Sequence, residues 1–225
     1  MVIGERFVWG HIPRTGGDIT SMMFEQCFKM GMINSRDSIA DTHKHDHFSL
    51  RNVEDREKVL NIRRLPSFVM SWMVMMSGKL RFSDSLCFSG GVFIPDRPVF
   101  EKHIGGKFVC LPVPTKEQLL GDLEYDKRFT SVYGPLHSFP DLYLTLFEAE
   151  TVCKWIRTEY LLNDFKAMIE SFGFMEANKI VIPSNTSKKP MNYDHRIEQF
   201  FTQKELERLY ANNPFWLSVE ERLFT

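Results

Sequence analysis

An arginine, a threonine and a glycine pair follow one another at residues 14–17 of this chain, between an apolar segment and an amphipathic one. In a glycine-rich turn that begins a helix, backbone N–H groups converge on one point, with the positive end of the helix dipole behind them. Such a turn binds anions, most often phosphate groups. The residue types therefore indicate an anion site in which Arg14 supplies the cation.

The surrounding residues 7–24, FVWGHIPRTGGDITSMMF, must supply the elements that position this turn. The pattern predicts a short apolar strand, a tight turn over 13–17 and a helix that begins at Asp18 or Ile19. Apolar residues then recur at helical spacing up to Gly31, where the helix is predicted to end. A glycine turn that only joins a strand to a helix is the alternative interpretation.

The turn does not match the phosphate loop of nucleoside triphosphatases. That motif needs a lysine directly after its last glycine, and here Asp18 follows Gly17. Instead, HIPRTGG at 11–17 resembles the H-x-P-K-T-G-G loop of sulfotransferases that use 3′-phosphoadenosine 5′-phosphosulfate (PAPS). The resemblance implies a catalytic Arg14 in the position of the family's lysine. It also implies that the 5′-phosphosulfate is bound by Pro13, Arg14, Thr15, Gly16, Gly17, Asp18 and Ile19.

Asp18 stands where that family usually has threonine or serine. A carboxylate about 5 Å from a phosphate, at an effective dielectric constant near 20, would weaken binding by roughly 3 kcal/mol. We therefore expect either that Asp18 turns away and caps its own helix, as aspartate commonly does, or that the cofactor binds more weakly.

A second segment resembles the same family. Residues 58–62 are predicted to form a buried strand that ends at Arg63, and a helix is predicted over 67–76. The eight-residue spacing of Arg63 and Ser71 is similar to the family's L-R-x-P-x-x-R-x-x-S pattern, which implies that both bind the 3′-phosphate. A guanidinium and a hydroxyl are suitable donors to phosphate oxygens. The alternative is a solvated strand end.

A third segment, IRTEYLLNDFKAMIESFGF at 156–174, is similar to the family's I-x-x-E-x-L-x-x-D-F segment. It predicts a strand over 152–156 and a helix that ends at Gly173. We interpret Glu159 and Asp164 as structural residues that fix this helix to its strand.

Three histidines alternate at His43, His45 and His47. Related sulfotransferases use a histidine after the loop helix to remove the proton of the acceptor hydroxyl, so the resemblance implies His45 as the base and His43 as second choice. An imidazole pKa near 6.5 suits that task at neutral pH. A polar surface loop and a metal site are the alternatives, but zinc normally requires four placed donors and we predict no metal.

Later segments carry weaker signals. Residues 82–106 are predicted as loops and short turns, and residues 179–183 as a last strand. The following hydroxyl-rich loop contains Lys188 and Lys189; the resemblance implies that it closes over the nucleotide, and a surface charge pair is equally consistent. Thr202 is predicted to begin a helix with a capping box.

Composition limits the possible partners. The 28 basic and 29 acidic residues nearly cancel, so we expect no nucleic-acid partner. No apolar run is long enough to span a membrane, and the first residues lack a signal-peptide pattern. The four cysteines form no C-x-x-C pair, which is typical of buried thiols in a reducing compartment, so we expect a cytoplasmic protein. Twelve methionines and twenty phenylalanines indicate an aromatic core or an apolar substrate groove.

Together these features predict one domain over 1–225 of the α/β class, with a central, mostly parallel sheet flanked by helices; the resemblance implies a P-loop NTPase-like sulfotransferase fold. It further implies transfer of a sulfuryl group from PAPS to a hydroxyl of a carbohydrate or small-molecule acceptor, with adenosine 3′,5′-bisphosphate as product. A nucleotide-binding module without catalysis is one alternative. A small-molecule kinase is another, but it needs a magnesium-binding hydroxyl after a loop lysine, which the turn lacks.

Overall fold

The computed structural model describes residues 1–33, 48, 53, 55–72, 101–104, 107–110, 139–184, 197 and 201–225. Its strands are β1 (Val2–Ile3), β2 (Phe7–His11), β3 (Glu57–Ile62), β4 (Glu101–Ile104), β5 (Lys107–Cys110) and β6 (Val152–Arg157). Its helices are α1 (Gly17–Lys29), α2 (65–72), α3 (Phe139–Leu146), α4 (Leu161–Ser171), α5 (Gln203–Ala211) and α6 (Pro214–Leu223).

The chain divides into two compact units. The first unit comprises residues 1–64 and 143–194, and the second comprises 65–142 and 195–225. One domain over 1–225 stays a prediction. Among the described residues, no helix combines the length and the apolar character needed to cross a membrane.

The first unit contains a four-stranded sheet in the order β1-β2-β3-β6. Strand β1 runs antiparallel to β2, whereas β2, β3 and β6 are parallel, with Trp9 opposite Val59 and Leu60 opposite Trp155. The predicted α/β class with a mostly parallel sheet is thereby confirmed. Because the three parallel strands end at one edge, the chain segments that follow them meet there, where ligands of open α/β sheets usually bind.

Helices α1 and α4 pack with the sheet in one apolar core. Side chains alternate along a strand, so Phe7 and Trp9 of β2 share one face. On that face, the ring centroid of Phe24 lies 5.2 Å from that of Trp9. It lies 4.8 Å from that of Phe165, with the two rings edge to face. Large aromatic side chains therefore anchor both helices to the sheet beneath them.

Both helices end at the predicted glycines. After α1, Gly31 N donates to Phe28 O and Met32 N to Cys27 O, at 3.0 and 2.9 Å. After α4, Gly173 N donates to Glu170 O at 2.8 Å, in the same pattern. These bonds satisfy the last carbonyls of each helix, as in a Schellman motif.

The predicted strand over 179–183 is wrong. Residues Ala177–Lys179 form a 3₁₀ turn instead, and the chain continues without a strand partner among the described residues. The side-chain amide of Gln26 takes the place of a neighbouring strand, because its Nε2 donates to Val181 O at 2.9 Å and its Oε1 accepts from Val181 N at 3.1 Å. One distant side chain thus satisfies the peptide groups that a sheet would have bonded.

The prediction of loops over 82–106 also missed a strand. Strand β4 pairs antiparallel with β5, with Ile104 opposite Lys107. A Gly-Gly dipeptide lies between the two strands in sequence, and such a pair is itself a hairpin signal.

In the second unit, two buried carboxylates bind the first turns of two helices. Asp141 accepts from Phe215 N at 3.1 Å and from Trp216 N at 2.8 Å, at the start of α6. Glu220 accepts from Leu65 N at 2.8 Å, at the start of α2. Helix α2 begins two residues before its predicted start, and its predicted continuation to 76 lies outside the described residues.

Helix α5 begins with the predicted capping box. Thr202 Oγ1 accepts from Glu205 N at 3.3 Å, and Thr202 N donates to the Glu205 carboxylate at 2.9 Å. Two N–H groups at the helix start are thereby satisfied locally, which is why the motif can be recognised in sequence.

Candidate functional site

The turn between β2 and α1 has an unusual backbone. Gly16 is the N-cap of α1 and has left-handed dihedrals, with φ 84° and ψ 10°. Arg14 is also left-handed, with φ 75°. For a residue with a Cβ atom this conformation costs about 1–2 kcal/mol, so the surrounding structure must hold the turn in place.

Thr15 closes the turn from inside. It is fully buried, and both its hydroxyl and its backbone N–H donate to Ile12 O, at 2.6 and 3.2 Å. Its donors are therefore used within the protein. Pro13, also buried, has no N–H group to offer. In this conformation these two residues shape the turn, and the backbone N–H groups without an acceptor among the described residues belong to the residues that follow.

Two side chains from neighbouring strands hold the Thr15 carbonyl. Asn61 Nδ2 donates to Thr15 O at 3.1 Å, and Thr158 Oγ1 donates to the same oxygen at 2.8 Å. Asn61 lies in β3 and Thr158 directly follows β6, at the carboxyl edge of the sheet. In a trans peptide the C=O and the next N–H point in opposite directions, so the Gly16 N–H points away from these two donors.

The start of α1 provides the donors. Thr20 N makes the first helical hydrogen bond, to Gly16 O at 3.1 Å. Within the part of the chain that the structure describes, the amides of Gly16, Gly17 and Ile19 have no hydrogen-bond acceptor. Unpaired N–H groups at a helix start, with the helix dipole behind them, favour an anion.

Close packing explains why position 17 is a glycine. A Cβ atom there would lie 2.0 Å from Cδ2 of His11. The His11 ring is buried and stacks on Trp9, with ring centroids 5.3 Å apart. The backbone of α1 therefore begins directly against this aromatic pair, and no side chain fits between them.

Arg63 lies beside the turn. It follows β3, is half-buried, and its Nη1 donates to Arg14 O over 3.5 Å, a long hydrogen bond. The structure thus brings the Arg63 guanidinium to the backbone of the predicted anion site. The next residue, Arg64, is exposed, and its backbone N–H donates to Glu159 at 3.0 Å.

The expected capping role of Asp18 is wrong. Helix α1 begins at Gly17, one residue earlier than predicted, so Asp18 is inside the first turn and exposed, while Gly16 is the N-cap. An N-cap residue needs non-helical dihedrals, which Asp18 does not have. Its carboxylate stays at the helix start, where it interacts favourably with the dipole and would repel an anion bound there.

Asp164 has the structural role that was predicted for it. Its carboxylate accepts from Arg157 Nε at 2.7 Å, from Nη2 at 2.8 Å and from the Arg157 backbone N at 2.9 Å. This bidentate pair raises the pKa of Arg157, chiefly through the hydrogen bond to Asp164. It also ties α4 to the end of β6, so the Arg157 guanidinium is engaged within the protein.

The predicted site residues are divided between the two units and the residues outside the described ranges. Ser71 is buried in α2 and belongs to the second unit, whereas Arg63 belongs to the first. Among the described residues, no cluster of three or more histidine, cysteine or acidic side chains could hold a metal. The remaining predicted residues, His43, His45, His47, Lys188 and Lys189, lie outside the described residues.

Asn61 and Thr158 were not recognised from the sequence. A signal existed for each: Asn61 is a polar residue inside an otherwise apolar strand, and Thr158 is a hydroxyl at the carboxyl end of another. Neither signal says which atom the side chain would reach, because their common partner, Thr15, is 46 and 143 residues away.

We compared the chain with protein-family models, with curated proteins and with solved structures. None matched. The function must therefore be argued from the geometry of the turn and from its sequence.

Proposed function

We propose that the protein is a PAPS-dependent sulfotransferase with a P-loop-like α/β fold. It would transfer a sulfuryl group from PAPS to a hydroxyl of a carbohydrate or small molecule. The observation that supports this most is the pair of Gly16 and Gly17 amides at the start of α1, with the Arg63 guanidinium at the same turn.

In this proposal the donor's 5′-phosphate binds at the helix start. The N–H groups of Gly16, Gly17 and Ile19 donate to its oxygens, and Arg14 neutralises charge at the oxygen that bridges phosphorus and sulfur. Arg63 binds the 3′-phosphate through its guanidinium. Because the turn is held by buried hydrogen bonds, these donors need little reorganisation when the ligand arrives.

The proposed transfer step is a displacement at sulfur that needs no metal ion. The acceptor oxygen forms a bond to sulfur while the bond from sulfur to the 5′-phosphate oxygen breaks. The electron pair of that bond stays on the phosphate oxygen, where the helix start and Arg14 stabilise it. The hydroxyl proton passes to a base, for which we propose His45 first and His43 second. The product is adenosine 3′,5′-bisphosphate.

A second candidate is a nucleotide-binding module that lacks catalysis. Two residues favour it: Arg14 stands where related sulfotransferases have the lysine that assists transfer, and Asp18 places an exposed carboxylate in the first turn of α1. The two candidates share the binding site and differ only in turnover.

Calorimetry with adenosine 3′,5′-bisphosphate tests the site. We expect the native protein to bind this nucleotide and Arg63→Ala to bind at least about tenfold more weakly, as the loss of a hydrogen bond to a charged group implies. Arg64→Ala is the matched control, because its side chain is exposed, and we expect less than about a twofold change. Absence of binding by the native protein would overturn both candidates.

A transfer assay with radiolabelled PAPS separates the two candidates. Carbohydrate and phenolic hydroxyl acceptors are offered, and labelled product is measured. We expect His45→Ala to lose turnover while it keeps nucleotide binding. If the native protein binds the nucleotide but sulfates no acceptor, the binding module is the correct candidate.

A further inference from the structure

Asn61 is a costly residue for its position. It is fully buried in β3, where an apolar side chain would avoid the cost of desolvating an amide. That cost is offset by three hydrogen bonds: Oδ1 accepts from Trp9 Nε1 at 2.6 Å, and Nδ2 donates to Thr15 O and to Thr20 Oγ1, at 3.1 and 2.9 Å. The amide therefore links the sheet to the turn and to the first turn of α1.

Thr158 reaches the turn from the other side. Its Oγ1 lies 2.8 Å from Thr15 O and 2.9 Å from Ile62 O. A hydroxyl has one proton, so it is shared between the two carbonyls. Thr158 thus connects the turn to the end of β3, and the Thr15 carbonyl has two donors.

A flip of the peptide between Thr15 and Gly16 would reverse the direction of the Gly16 N–H. Glycine adopts positive and negative φ with similar ease, so Gly16 imposes no barrier to a flip of this peptide. In the flipped orientation a carbonyl oxygen, and not an N–H, would face an anion at the helix start. The two donors on Thr15 O oppose that flip, because it would break both hydrogen bonds.

We propose that Asn61 and Thr158 are positioning residues that hold the Gly16 N–H towards the bound anion. This inference rests on the proposed function. Neither side chain contacts the ligand in this arrangement; each acts through the Thr15 carbonyl. Loss of the Thr158 hydroxyl should therefore weaken anion binding while the turn residues themselves stay unchanged.

The test is the affinity for adenosine 3′,5′-bisphosphate of Thr158→Val, which keeps the volume and removes the hydroxyl. We expect binding about tenfold weaker than native, since the flipped turn loses a hydrogen bond to a charged group. Thr158→Ser, which restores the hydroxyl, should bind within about threefold of native. Thr151→Val is the matched control, because Thr151 donates to Glu148 O, away from the turn.

A second measurement distinguishes a positioning role of Thr158 from a purely structural one. In ¹⁵N-labelled protein the Gly16 amide signal should shift when the nucleotide is added to the native chain, and should shift much less in Thr158→Val. Circular dichroism fixes a temperature at which all variants are folded. A lower melting temperature with unchanged affinity and an unchanged Gly16 response would overturn the positioning role.

The outcomes also separate this inference from the proposed function. If the native protein does not bind the nucleotide, both are overturned. If the native protein and Thr158→Val bind it equally, the positioning role alone is overturned and the anion site remains.

Discussion

The starts of helices α1 and α6 differ in what accepts hydrogen bonds from their first backbone N–H groups. Each presents backbone N–H groups that have no partner inside the helix. At α6 the carboxylate of Asp141, only 4% exposed, accepts from two of them. At α1, within the described residues, Gly16 and Gly17 have no acceptor, and the N-cap has no side chain. A buried carboxylate accepts from these N–H groups at α6, whereas at α1 the nearby Asp18 carboxylate is exposed and is not the N-cap.

This difference supports the proposed anion site at α1. A glycine N-cap makes a helix less stable than a capping side chain does by only about a few tenths of a kcal/mol, but a left-handed Arg14 costs about 1–2 kcal/mol more. Such costs persist where the surrounding structure enforces them, and they cluster at functional sites. In contrast, at α6 a buried carboxyl group accepts from two of the N–H groups of the helix start.

The largest expected effect is a steric one at α1. In Gly17→Ala the new methyl group would overlap the His11 ring, so we expect the free energy of unfolding to fall by about 3 kcal/mol or more. Gly31→Ala is the comparison: its φ of 70° is unfavourable for alanine, unlike the φ of Gly17, but nothing lies within 4 Å of a Cβ there. We expect a loss of only about 1–2 kcal/mol. Urea unfolding measures both; equal losses would contradict the close approach of α1 to His11.

The next largest effect is the pH dependence that the Asp141 carboxyl group at the start of α6 gives to stability. Burial raises the pKa of Asp141 from 3.8 to about 6. The folded protein therefore holds this proton more tightly than the unfolded chain does. The contribution of the group to stability is present in full below pH ~4 and is lost as pH rises through about 6, a change of about 3 kcal/mol.

Asp141→Asn removes this titration while keeping an acceptor for the helix start. We expect the unfolding free energy of the variant, relative to native, to rise by up to about 3 kcal/mol between pH 4 and pH 7. Urea unfolding of both proteins at several pH values measures it. Parallel pH profiles would show that Asp141 titrates alike in the folded and unfolded chains.

The smallest effect returns to α1. Asp18→Asn removes a negative charge from the first turn, so we expect adenosine 3′,5′-bisphosphate to bind a few-fold more tightly, by about 1 kcal/mol at low salt. The gain should shrink at high salt, because the carboxylate is exposed. Glu25→Gln, also exposed on α1 but two turns further along, should leave the affinity unchanged. Calorimetry at two ionic strengths measures both affinities. If Asp18→Asn binds the nucleotide no more tightly than the native protein does, the nucleotide lies away from the helix start.

Local patterns were sufficient for several parts of this chain. The strand, turn and helix over 7–24, the glycine at each helix end and the capping box at Thr202 depend on residues close together in sequence. Such elements follow from side-chain period and from hydrogen bonds that span three to five residues. The residue types in the turn were also sufficient to predict an anion site.

Contacts between distant residues decided the rest. Gln26 replaces the predicted strand partner of Val181, 155 residues away, and Asp141 caps a helix 74 residues further on. The orientation of the turn depends on Asn61 and Thr158, which reach Thr15 only because β2, β3 and β6 are parallel neighbours. The sequence alone thus determined that residues 14–17 could bind an anion. Only the tertiary structure decided which N–H groups would face it, because a peptide's direction is set by the partners of its carbonyl, and those partners lie in β3 and directly after β6.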